Sequence, residues 1–223
     1  MTDESLKEEI LINVTPSEVR AALLESGILQ EVYIERSARR GVISNIYKGR
    51  VSRVLPGMQA AFVDVGLQRT AFLHVSDIIR QQNGDSEGDE LPGIRDLVRE
   101  GEDVLVQVVK DPLGNKGARL TTFITLPSRH PVLLPKGDTV GISARIEDEA
   151  ERERLREMVT GLLDEAGLGC GAIVRTVAEG ASAEELRADL EFLVKLWSVV
   201  QERCSNAEVK SLIHEDLSLP LRV

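Results

Sequence analysis

The chain has 223 residues, 42% of them hydrophobic and 29% charged, with a formal net charge of −10. That length buries a substantial core in one or two domains. No apolar run approaches the roughly 18 residues of a membrane-spanning helix, and the acidic opening MTDESLKEEI is unlike a secretory signal.

In chain order, residues 10–35 read as a small antiparallel sheet. ILINVT alternates up to Pro16, EVRAALLES follows, Gly27 makes a turn and ILQEVYIE closes the unit. RSARRG is a basic linker. From Val42 to about Phe123 the pattern is short strands with frequent punctuation. SNIYKGRVSRVL breaks at Pro56-Gly57, MQAAFVDV ends at Gly66, and RTAFLHV follows. A polar insertion, RQQNGDSEGDELPG, has the composition of a loop. EDVLVQVVK, the turn DPLGNKG and ARLTTFITL complete the run. Five strands with glycine-bounded turns predict a small closed barrel of the OB type.

After LPSRHPVLLPKGD the character changes. EDEAERERLREMVTGLLDEAG reads as a helix with Leu155, Val159, Leu162 and Ala166 on its apolar stripe and Gly167 as its stop. GAIVRT is a strand. Ser182-Ala183-Glu184-Glu185 is a capping box. The helix it opens carries Leu186, Leu190, Leu193, Trp197 and Val200 on one stripe, which reads as core.

The cysteines, Cys170 and Cys204, have no metal-type spacing and read as free thiols of a reducing, cytoplasmic compartment. His74, His130 and His214 lie far apart, which argues against a zinc site. The acidic balance argues against nucleic acid only if charge is uniform, and it is not. From Arg36 to Arg53 the charged residues are Arg36, Arg39, Arg40, Lys48, Arg50 and Arg53, with no acid among them. A local basic strip binds phosphates on an acidic protein because screening limits interactions to about 8–10 Å.

Aromatics are scarce, yet Tyr47, Phe62 and Phe72 fall in or near this strip. Strand parity puts Ala61, Val63 and Val65 on one face and Phe62 with Asp64 on the other. It likewise puts Ala71, Leu73 and Val75 opposite Phe72 and His74. The aliphatic set is the natural core face, so both phenylalanines point outward, and Tyr47 stays unassigned. An outward Phe forgoes about 1.5–3 kcal/mol of burial. Two on neighbouring strands suggest a stacking platform for single-stranded nucleic acid, with Lys48, Arg50, Lys110 and Lys116 neutralising phosphates. The competing reading packs the phenylalanines under the insertion or against a neighbouring subdomain.

Four strings, NIYKGRVSRVLPGMQAAFVDVG, RTAFLHVSDI, VQVVKDPLGNKGARLTTFITLPSR and IVRTVAEGAS, together resemble the ribonuclease E/G family along nearly the whole chain. The resemblance implies an α+β, multi-subdomain architecture. Residues 1–38 would be opening strands of an RNase H-like subdomain, and 39–125 an S1 RNA-binding domain, the OB-type five-stranded β-barrel, inserted in it. Residues 126–205 would be an α/β 5′-sensor region, and 206–223 would begin the return to the RNase H-like subdomain. It also implies an endoribonuclease of rRNA processing and mRNA decay that is a homodimer at full length. RNA would be bound by Phe62, Phe72, His74, Lys48, Lys110 and Lys116. A 5′-terminal monophosphate would be bound by Arg175, Thr176, Ser128 and Val132. The pair His130-Pro131 departs from the family's Tyr-Leu or similar pair, and Pro131 removes a backbone donor there. The family's Mg²⁺, held by aspartates of a nuclease subdomain, and its zinc-binding cysteine pair have no counterpart in this sequence. The chain therefore reads as an N-terminal recognition portion, inactive alone. A stand-alone S1-type binding module and a fragment whose barrel face docks protein are the other readings.

Overall fold

The computed structural model describes residues 7–78, 92–167 and 169–222. The acidic part of the polar insertion, Asp85 to Glu90, lies outside the described residues. The chain forms two compact units, Met1–Ile43 with Glu215–Val223 and Ser44–His214.

In the first unit β1 (Glu8–Val14), β2 (Glu18–Glu25) and β3 (Ile28–Arg36) form an antiparallel meander in that order. The β2–β3 turn has positive φ at both Ser26 (50°) and Gly27 (79°), the geometry that matches strand twist in a two-residue hairpin. Ala21 is fully buried, but Ile10, Leu11, Ile12, Val14, Val32, Tyr33 and Ile34 are exposed. Adjacent residues point to opposite faces, so this sheet shows large apolar side chains on both.

The second unit opens with β4 (Ile46–Leu55), β5 (Ala60–Asp64), β6 (Ala71–His74), the single-turn α1 (Ile94–Leu97), β7 (Asp103–Lys110) and β8 (Arg119–Thr121). Hydrogen bonds run β4-β5-β6-β8-β7, and β7 pairs back onto β4, closing a five-stranded barrel. All pairs are antiparallel except β6–β8. Val51, Ala61, Val63, Leu73, Val106, Val108 and Leu120 fill it, as parity requires. Tyr47 is also buried.

The predicted strand ARLTTFITL divides. Only Arg119–Thr121 joins the barrel, and Leu126–Pro127 starts a second sheet as β9. Buried Gln107 fixes the break. Its side-chain amide donates to the Ser44 and Thr125 carbonyls (3.0 and 2.9 Å), and its oxygen accepts from the Thr125 N–H at 2.9 Å. The two bonds with Thr125 would be lost, at a cost of desolvated polar groups, if the strand ran straight on.

β10 (Pro131–Leu134), β11 (Val140–Ile142), α2 (Glu149–Ala166), β12 (Gly171–Val174), α3 (Ala183–Asn206) and β13 (Ser211–His214) follow. The second sheet runs β11-β12-β10-β9, and both long helices share one hydrophobic core with it. The α3 stripe is buried at all five expected positions and its capping box is formed. On α2 the buried set is Leu155, Val159 and Leu163, not the expected Leu162 and Ala166. The core follows the i, i+4 ridge, leaving Leu162 on its flank, half-buried, and Ala166 exposed in the last turn. Gly167 ends the helix at φ 65°.

Barrel and second sheet are one unit because Ile46 of β4 belongs to the helix-covered core and β13 pairs with β4. The chain returns to the first unit at Glu215, where α4 (Leu219–Arg222) packs on β2.

Candidate nucleic-acid interface

Phe62 and Phe72 are direct cross-strand partners on β5 and β6, and both point away from the barrel interior. They are half-buried, because each shields the other. Their rings meet edge to face with centroids 6.2 Å apart. His74, two residues along β6, stacks on Phe72 at 6.3 Å. Its orientation is set locally. The Ser76 N–H donates to His74 Nδ1 (3.2 Å), so the neutral ring carries its proton on Nε2.

Register extends this row on both sides. Arg53 of β4 pairs with Phe62, Phe72 pairs with Arg119 of β8, and Arg119 pairs with Lys110 of β7. Two aromatic rings thus sit between Arg53 on one flank and Arg119 and Lys110 on the other. Arg119 is held by Asp77 through a two-point pair of 2.9 and 3.2 Å. That pair holds the guanidinium rigid and balances its charge, so Arg119 offers positioned donors rather than net positive charge. Arg53 and Arg119 did not emerge from sequence as part of the platform, because only register places them beside it. Lys116 is exposed in the tight turn closed by Leu113, at the end of β7.

Lys48 is placed elsewhere. Its Nζ donates to the carbonyls of Cys204 and Ala207, both at 2.9 Å. These are among the last carbonyls of α3, where a cation also meets the negative end of the helix dipole. Arg50 is paired with Asp103 at 2.7 Å. Neither joins the aromatic row.

A second cluster forms where β12 ends. Arg175 Nη1 donates to the carbonyls of Ser128 and Arg129 (2.9 and 3.4 Å), so Arg175 and Ser128 are together. Thr176 follows, with its hydroxyl 2.9 Å from that of Ser143. Val132 is opposite Ile173 of β12, two residues before Arg175, whose backbone is still extended. Pro131 lacks an N–H, but its carbonyl accepts from the Ser128 N–H at 2.9 Å and closes the turn. The structure thus brings Arg175 and Ser128 into contact, whereas the Thr176 hydroxyl is engaged by Ser143.

The segment after Thr176 is fastened to α2. Glu151 accepts two bonds from Arg154 (2.6 and 2.7 Å) and one from the Gly180 N–H (2.8 Å). The Arg154 guanidinium first, and the Gly180 N–H second, hold the Glu151 carboxyl down to about 2 from an ordinary 4.5. A depressed acid contributes stability above its unfolded value and loses it as pH falls through its folded one. Glu151→Gln is therefore expected to flatten the acid limb of the stability profile between about pH 4.5 and 2. Urea midpoints measured across that range check it, and parallel wild-type and variant curves would refute it.

Among the described residues no group of three or more His, Cys, Asp or Glu is arranged to hold a metal. The described residues do not fit a Mg²⁺ centre. No helix among the described residues is long and apolar enough to cross a membrane.

A model of the Ribonuclease E/G family matches residues 125–223. Ribonuclease G of Haemophilus influenzae is 56% identical over 219 residues, covering 96% of this chain and 44% of the relative. Ribonuclease G of Escherichia coli K12 is 54% identical with the same two coverages, and its Ribonuclease E is 39% identical over 96% of this chain and 20% of the relative. The chain thus spans less than half the length of these relatives. Matched by the family model and aligned to these relatives along 96% of its own length, the chain belongs to the ribonuclease E/G family.

Proposed function

We infer that this chain is the RNA-binding portion of a ribonuclease G-like, single-strand-specific endoribonuclease of cytoplasmic rRNA processing and mRNA decay, and that it reads a 5′-terminal monophosphate. The observation that carries the reading is the register-linked row Arg53, Phe62, Phe72, Arg119, Lys110, with His74 stacked beside it. Bases stack on the rings and phosphates lie along the flanking cations. Relatives named Ribonuclease G supply the reaction class. In this reading, Mg²⁺-dependent cleavage belongs to the length of those relatives that this chain does not span. A stand-alone S1-type module would use the same surface and is the second reading. Reading the coding sequence past Val223 separates the two.

The test is a titration of fluorescent single-stranded RNA followed by anisotropy. Stacking is worth roughly 1–3 kcal/mol per base, so a double Phe62→Ala, Phe72→Ala variant should bind roughly 30-fold more weakly or worse. Affinity should also fall linearly in log–log form as salt rises. A double variant that binds like the wild type would remove the platform from the reading.

A further inference from the structure

We propose that His130 and Asp189 are positioning residues for Arg175, locking its guanidinium in the pose that meets a terminal phosphate; the inference rests on the 5′-end reading above. His130 sits in the turn between β9 and β10 and is only 5% exposed. Its N–H donates to Asp189 Oδ2 at 3.0 Å, and its ring Nδ1 lies 3.0 Å from the same oxygen. That second contact requires a proton on Nδ1. Asp189 stands on α3, whose apolar stripe is embedded in the core, so the turn is tied to the most rigid element of the unit.

The same histidine holds Arg175 from the other side. The His130 carbonyl accepts the Arg175 N–H at 2.8 Å. Arg175 then folds its side chain back, so that Nη1 rests on the Ser128 and Arg129 carbonyls. One residue therefore fixes the Arg175 backbone and, through the turn it pins, the two carbonyls that fix its side chain. Among the described residues Nε and Nη2 keep no protein partner, and they are the donors left for phosphate oxygens. A flexible arginine loses side-chain entropy on gripping a ligand, whereas one held in advance has already lost it. An apolar residue at position 130 would fill the space but leave Asp189 without the ring donor.

The experiment compares one short RNA carrying either a 5′-monophosphate or a 5′-hydroxyl, bound to the full chain and followed by anisotropy. The wild type is expected to prefer the monophosphate, and Arg175→Ala to bring the Kd ratio to within about twofold of one. His130→Ala and Asp189→Ala should do the same while leaving Kd for the 5′-hydroxyl RNA within about twofold of the wild type. Asp189→Asn, whose amide oxygen can accept both bonds, should keep most of the preference. If either single variant loses its native circular dichroism, the His130→Ala, Asp189→Ala double variant carries the same expectation with neither a ring nor a carboxylate left unpaired. A preference that survives in the His130 and Asp189 variants but not in Arg175→Ala overturns the positioning role, as does equal loss in Asp189→Asn and Asp189→Ala. A wild-type ratio of one, or a ratio that survives Arg175→Ala, overturns the 5′-end reading and this inference with it.

Discussion

Gly117→Val should destabilise the chain by about 3 kcal/mol or more and abolish RNA binding with it. A Cβ at Gly117 would collide with the Thr70 carbonyl oxygen and lie 2.9 Å from its carbon and 3.3 Å from the Ala71 Cα. All three are backbone atoms, so no rotamer change relieves the clash. The next residue, Ala118, accepts the Phe72 N–H at 2.8 Å and starts the β6–β8 ladder that pairs Phe72 with Arg119. Relief by separation would open the parallel seam of the barrel and displace half of the aromatic pair. Denaturant midpoints and RNA anisotropy on the same preparation check it. An unchanged midpoint would mean that β6 and β8 can part without cost.

Leu193→Ala should cost about 2–5 kcal/mol, the range for emptying a fully buried leucine site. Leu193 is fully buried and belongs to the core that also takes in Ile46 of the barrel's first strand. The loss is therefore expected to lower one transition for the whole second unit, not only for its helices. The chain has one tryptophan, Trp197, four residues along α3 and 8% exposed, and its fluorescence reports that core. A midpoint shift worth less than 1 kcal/mol, or a transition seen by tryptophan but not by RNA binding, would contradict a shared core.

What was legible in sequence had a short-range cause. The α3 stripe and its capping box depend on spacings of three and four residues, and both formed as read. The outward turn of Phe62 and Phe72 followed from alternation alone. The turn at Gly27 was legible from a residue tolerant of positive φ, whereas the positive φ of its neighbour Ser26 was not. What was missed depended on partners far along the chain. Lys48 looked like a phosphate ligand by local charge, yet its acceptors are the carbonyls of Cys204 and Ala207. The end of β8 was set by Gln107, a residue of the preceding strand. Arg53 and Arg119 joined the platform through register, which no single strand discloses. His130 read as an isolated histidine because Asp189 lies 59 positions away.

Glu215 takes up the first unit where Ile43 leaves it, and within the second unit Ile46 is paired with His214. The barrel-containing unit thus starts and finishes on neighbouring strands. An insert whose ends already lie side by side demands almost no loop closure from the chain that receives it. It behaves as a cassette. Such a segment can be grafted, permuted or exchanged for a short linker, and a barrel of this kind can be acquired by a host fold in one step.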